Sequence, residues 1–142
     1  MFGSQKNIPS KHILNDKKYD DNYHTEAWNK SQPFYVMFVW NSCGHCHDIL
    51  PMWQALTKSN INKDTQLFQI EMNDKDAFAK MLGGIPAVNA ITGFPTFMKL
   101  QKGKAPEQYT GNRTTDSFVK WITGQKGGRR KTRRKRRRTR HR

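Results

Sequence analysis

The chain has 142 residues, 26 Lys/Arg against 11 Asp/Glu, a formal net charge of +15 and only two cysteines. That length permits one domain plus a tail. No stretch reaches the roughly 18 apolar residues of a membrane span. The polar start, residues 1–33, lacks the seven or so consecutive apolar residues of a signal peptide. The expectation is a soluble protein of a reducing compartment, the cytoplasm or nucleus. There a cysteine pair suits catalysis or metal binding better than structural cross-linking.

Charge divides the chain. Residues 126–142 hold twelve of the 26 Lys/Arg and no acid, leaving 14 basic residues against 11 acidic ones elsewhere. Three parts are expected: a flexible start at 1–7, a folded domain at 8–123, and a disordered basic tail at 124–142. Such a tail repels itself and has no apolar surface to bury.

In chain order, Ile8 to Leu14 suggests a weak first strand and Asp21 to Lys30 a short helix. Phe34 to Trp40 is apolar almost throughout, as in a central strand covered on both faces. A helix follows from about Cys43 to Ser59, with Ile49, Leu50, Trp53 and Leu56 at helical spacing and Pro51 placed to kink it. Thr65 to Met72 reads as a strand in which Leu67 and Gln66 alternate. A helix capped by Asn73 or Asp74 then runs to Leu82, with Ala77, Phe78 and Met81 inward, and Gly83-Gly84 ends it. Phe97 to Leu100 and Glu107 to Tyr109 form a hairpin around Lys102-Gly103. Thr114 or Thr115 caps a last helix whose Phe118, Val119, Trp121 and Ile122 face the core. Strands interleaved with helices imply an α/β domain: one mixed sheet with helices on both faces. Asn29-Lys30-Ser31 and Asn112-Arg113-Thr114 match the glycosylation pattern, but no secretory signal accompanies them.

Both cysteines sit in Cys43-Gly44-His45-Cys46, at the junction of the apolar strand and the following helix. A helix N-terminus offers free N–H groups and positive dipole, which stabilise a thiolate. Cys43 is therefore the expected nucleophile and Cys46, one turn in, its resolving partner. A protonated His45 favours the reduced form and makes the disulfide more oxidising. Cys43, His45, Cys46 and His47 are also competent zinc ligands, but no second Cys/His cluster completes a site. No metal or cofactor is expected.

The order of strand, Cys-x-x-Cys, proline-containing helix, Gly93-Phe94-Pro95-Thr96, hairpin and terminal helix resembles the thioredoxin superfamily over about residues 8–123. Cys-Gly-His-Cys and Pro51-Met52-Trp53-Gln54-Ala55-Leu56 resemble disulfide isomerase domains. Tyr109-Thr110-Gly111-Asn112-Arg113 is similar to their Tyr-x-Gly-x-Arg segment. The resemblance implies a thioredoxin fold and a protein thiol–disulfide oxidoreductase, acting as a monomer on protein cysteines. It makes Cys43, Gly44, His45, Cys46 and a cis Pro95 the catalytic set, with Phe94 and Thr96 binding an extended substrate strand. Three positions depart from the pattern. Ser42 stands where a tryptophan commonly precedes the first cysteine, with Trp40 two residues earlier. Met37 replaces the buried acid that relays protons in many relatives, which should slow resolution. His47 replaces a frequent lysine. Residues 83–89 make an unusually long approach to the proline loop, and the pattern assigns them no element.

The tail cations are Lys126, Arg129, Arg130, Lys131, Arg133, Arg134, Lys135, Arg136, Arg137, Arg138, Arg140 and Arg142. Their density is the footprint of a polyanion partner. Without interleaved aromatic residues, binding should be sequence-independent and salt-sensitive. Direct nucleic-acid binding, recognition by nuclear import machinery and loading into a nucleic-acid-filled particle all suit it. Arg/Lys/Thr tails of this kind resemble those on small thioredoxin-like proteins of large DNA viruses, which adds the virion as a location. A competing function is a nucleic-acid-associated packaging protein that uses the fold only as a scaffold.

Overall fold

The computed structural model describes residues 7–13, 17–18, 21–62 and 65–124. The tail cations named above lie outside them, as does Leu14. The elements in order are β1 (Lys11–His12), β2 (Lys17–Lys18), α1 (Asp21–Asn29), β3 (Phe34–Val39) and α2 (Gly44–Gln54), which tightens into a 3₁₀ turn at Ala55–Lys58. After these come β4 (Gln66–Glu71), α3 (Met72–Met81), α4 (Pro86–Asn89), β5 (Thr96–Leu100), β6 (Glu107–Gln108) and α5 (Thr115–Thr123). Among the described residues, no helix is long and apolar enough to cross a membrane.

The six strands form one sheet in the order β2-β1-β4-β3-β5-β6. β3 and β4 run parallel, from Phe34 beside Gln66 to Val39 beside Glu71. β5 pairs antiparallel with β3 and with β6. All six residues of β3 are buried, because helices cover both faces of the sheet. Tyr35, Met37 and Val39 join Trp53, Leu56, Phe118 and Ile122 on the α2/α5 side. Phe34, Val36 and Phe38 join Ala27, Phe78, Ala79 and Leu82 on the α1/α3 side. Edge-to-face rings tie the first layer together, with Trp53 and Phe118 centroids 5.2 Å apart at 89°.

The mixed sheet, the central strand, the hairpin and the terminal helix match their sequence expectations, while several details differ. The first strand shrinks to Lys11–His12. β4 does not alternate: Leu67 through Glu71 are all buried, so it too is covered on both faces. α3 is capped by Glu71, whose carboxylate accepts the Asn73 N–H, rather than by Asn73 or Asp74. Its inward residues are Lys75, Phe78 and Ala79, whereas Ala77 and Met81 are exposed. Residues 83–89 contain α4, one turn begun by Pro86 and anchored by buried Val88. Gly83 and Gly84, at φ 86° and 92°, make the reversal into it.

A buried amine holds α4 in place. Lys75 Nζ donates to the Val88 carbonyl at 3.1 Å, which also accepts the Ile91 N–H, and to the Asn89 carbonyl at 3.3 Å, both at the C-terminal end of α4. It also pairs with exposed Asp76 at 2.9 Å. Lys75→Met keeps the aliphatic stem but removes those bonds, and should cost roughly 1–3 kcal/mol in urea denaturation. Asp76→Ala should leave the urea midpoint almost unchanged, because that carboxylate is solvated.

Candidate redox site

The turn after β3 carries the two cysteines, and buried groups hold it from below. Glu71, at the end of β4, is 4% exposed. Its carboxylate accepts the Asn41 N–H at 3.0 Å and the Asn73 N–H at 2.8 Å. Ser10 Oγ accepts the Glu71 N–H, and the Asn41 side chain accepts the Ile8 N–H. His47 Nε2 donates to the Asn41 carbonyl at 2.8 Å, because a carbonyl can only accept. The segment before β1, the end of β4 and the first turn of α2 thus meet at Asn41. Sequence reading missed this collar, since Glu71 looks like an ordinary strand-end acid. Its only signal is an acid directly following the apolar run of β4.

Cys43 is the N-cap of α2, and its sulfur accepts the Cys46 N–H at 3.2 Å. It is partly exposed, whereas Cys46 is buried. Both cysteines are free thiols. Cys43 Sγ also donates to the Phe94 carbonyl at 3.4 Å. The Phe94–Pro95 peptide is cis, with Pro95 buried and Phe94 and Thr96 partly exposed. Thr96 Oγ1 donates to the Gly93 carbonyl at 2.7 Å, closing that loop on itself. The proline loop and the cysteine turn therefore lie against each other, though 51 residues separate Cys43 from Phe94. Gly44 and His45 are exposed, and a Cβ on Gly44 would meet nothing within 4 Å. The surface over the thiols is open to a partner.

Burial pushes the Cys46 thiol up to about 12, and the hydrogen bond with Cys43 adds to the rise. A backbone bond at Trp40 and the positive charge of Arg113 act in the opposite direction. Arg113 stands in the loop before α5, its guanidinium carbon 5.6 Å from the centre of the Phe97 ring. Arg113 belongs to the Tyr-x-Gly-x-Arg segment, but its action on Cys46 appears only in three dimensions. Met37, fully buried, belongs to the same apolar cluster as Cys46. Its register partner Gln69 is neutral too, and is satisfied by Gln54 and the Pro9 carbonyl. Among the described residues, no group of three or more His, Cys, Asp or Glu could hold a metal ion.

A thioredoxin family model matches residues 14–124. The chain is 31% identical over 108 residues to protein disulfide-isomerase 1 of Dictyostelium discoideum, covering 75% of this chain and 28% of that protein. It is 29% identical over 100 residues to human protein disulfide-isomerase A6, covering 70% and 22%. The chain thus spans less than a third of the length of either relative. In fold it resembles the thioredoxin from Aeropyrum pernix, with a TM-score of 0.62 at 11% identity over 85% of this chain and 97% of that one. The fold, the cysteine pair against a cis-proline loop, and a family match across most of its length agree: this chain belongs to the thioredoxin family.

Proposed function

We propose that this chain is a protein thiol–disulfide oxidoreductase of the disulfide isomerase type, working through Cys43 and Cys46. The observation that carries this reading is a partly exposed thiol at a helix N-terminus, touching both a buried second thiol and the Phe94 carbonyl. The Cys43 thiolate attacks a substrate disulfide, forming a mixed disulfide and releasing one substrate sulfur as a thiolate that takes up a proton. Cys46 then loses its proton and attacks Cys43 Sγ, expelling the second substrate sulfur as a thiol. The substrate gains two electrons and the pair becomes a disulfide. The reverse sequence donates a disulfide. Gly93, Phe94 and Thr96 offer backbone beside the nucleophile for an extended substrate strand.

The basic tail adds a tether. It can engage a polyanion, either nucleic acid or an import receptor's acidic surface, through charge alone. A nuclear or virion setting suits such a tether. The alternative reading, a packaging protein on a thioredoxin scaffold, draws on the same twelve cations. Truncation after Gly124 should abolish polyanion binding and spare thiol exchange, and Cys43→Ser should do the reverse.

Equilibration of the protein in graded glutathione buffers, with free thiols counted by alkylation and mass, tests the redox reading. A Cys43–Cys46 disulfide that forms reversibly supports it, and no intramolecular disulfide at any poise overturns it. Arg113→Ala should slow the resolving step, because its positive charge favours the Cys46 thiolate, while leaving the initial attack by Cys43 little changed. Stability carries a second signature. The unfolded Cys46 thiol ionises near the ordinary thiol value of 9.0, while the folded one keeps its proton to about 12. Between those values the unfolded state binds fewer protons, so stability present below pH 9 is lost as pH rises. Reduced wild-type protein should lose stability relative to Cys46→Ala between about pH 8 and about pH 10.5, measured by urea denaturation of the same pair.

A further inference from the structure

β3 is buried to its last residue, and the next one, Trp40, is 40% exposed. Single exposed apolar side chains are ordinary on protein surfaces, so exposure alone means little. The position of this one is informative. The Trp40 carbonyl accepts the Cys43 N–H at 2.9 Å. Its ring lies 6.3 Å from the Phe94 ring, centre to centre, at 49°. Phe94 in turn offers its carbonyl to Cys43 Sγ at 3.4 Å. Trp40, Phe94 and the attacking sulfur therefore border a single surface.

Among the described residues, Trp40 belongs to neither apolar layer of the core. Trp53, by contrast, is fully buried and packs on Phe97 and Phe118. The neighbours of Trp40 also leave the surface open. Ser42 is small and exposed, and Gly44 presents no side chain. The result is two aromatic faces beside a nucleophile, with free space in front of it.

We propose that Trp40 and Phe94 form an aromatic shelf that determines substrate choice. It selects protein disulfides in which a large apolar or aromatic side chain lies two residues from the attacked cysteine. This rests on Cys43 being the attacking sulfur. An extended chain advances about 3.3 Å per residue. A side chain two positions from the attacked cysteine therefore sits on the same face of the strand about 7 Å along it, a reach comparable to the 6.3 Å between the Trp40 and Phe94 rings. Ring contact and the exclusion of water there hold the mixed-disulfide geometry. A small or charged side chain at that position gains nothing from the shelf.

The test uses the full chain, reduced, with two synthetic peptides that share one intramolecular disulfide. One peptide carries Phe two residues from the cysteine and the other carries Ser. Single-turnover reduction of each is followed by alkylation and mass. Wild-type protein should prefer the Phe peptide about tenfold. In Trp40→Ala that ratio should fall to within about twofold, and Trp40→Phe should keep most of it. The midpoint for disulfide formation in glutathione buffers should match wild type in both variants. A preference that survives Trp40→Ala, or equal slowing toward both peptides with the ratio kept, overturns the shelf. Wild-type protein that forms its disulfide in glutathione yet shows no preference also overturns it, while leaving the oxidoreductase reading standing. Failure to form that disulfide at all overturns both.

Discussion

Two-sided burial of β3 is the constraint on which the rest of this molecule depends. Six consecutive side chains leave solvent on alternate faces, so two separate apolar layers must be supplied, one by α2 and α5 and the other by α1 and α3. A strand covered in this way can expose reactive groups only where it ends. The chain leaves the sheet at Trp40, turns, and starts α2 with Cys43 as its cap. The N-terminal dipole of that helix then points at the sulfur, and the next turn of the helix carries Cys46 back beneath the surface. Exposure of one thiol and burial of the other follow from a single strand-to-helix junction.

Two polar struts present the halves of the site to each other. Glu71 and Asn41 fix the cysteine turn from the β4 side, each accepting backbone N–H groups in a partly buried place. Leaving such donors unmet would cost more than the bonds themselves contribute, so the collar acts mainly by specifying one geometry. Lys75 does the equivalent for the proline loop. By donating to the Val88 and Asn89 carbonyls of α4 it holds the segment that leads into Ile91–Phe94. Neither strut touches the sulfurs, yet together they set where Phe94 meets Cys43.

The parts legible in the sequence were those whose hydrophobic pattern is local. β3, α2, the hairpin and α5 each carry a run or period that needs no partner to be read, and Thr114 caps α5 within its own first turn. The parts that were not legible owe their place to distant partners. α4 has one turn and no amphipathic period, and it is held by an amine from another helix. On α3 the lysine is buried and Met81 is exposed, the reverse of what polarity suggests, because the carbonyls of α4 receive Lys75. β4 hid Gln69 and Glu71 within an apparent alternation; both are buried because other segments satisfy them. In the site, Cys-x-x-Cys and the proline loop could be read, whereas the influence of Arg113 on Cys46 and the approach of Trp40 to Phe94 depend on folding.

The neutral floor beneath the dithiol bears on what kind of exchange the proposed function favours. Met37 and Gln69 are register partners on β3 and β4, and neither can take a proton from Cys46. Burial already holds that thiol up to about 12, and the lowering influences come from the Trp40 backbone and from Arg113, not from a base. Attack by Cys43 needs no help from this floor, but resolution by Cys46 does. Slow resolution prolongs the mixed disulfide. During that lifetime a second thiol of the same substrate can attack instead, releasing Cys43 and moving the disulfide without net reduction. Slow resolution at Cys46 would thus bias the proposed oxidoreductase toward rearranging disulfides over reducing them, and the departure at Met37 fits the proposed isomerase-type function.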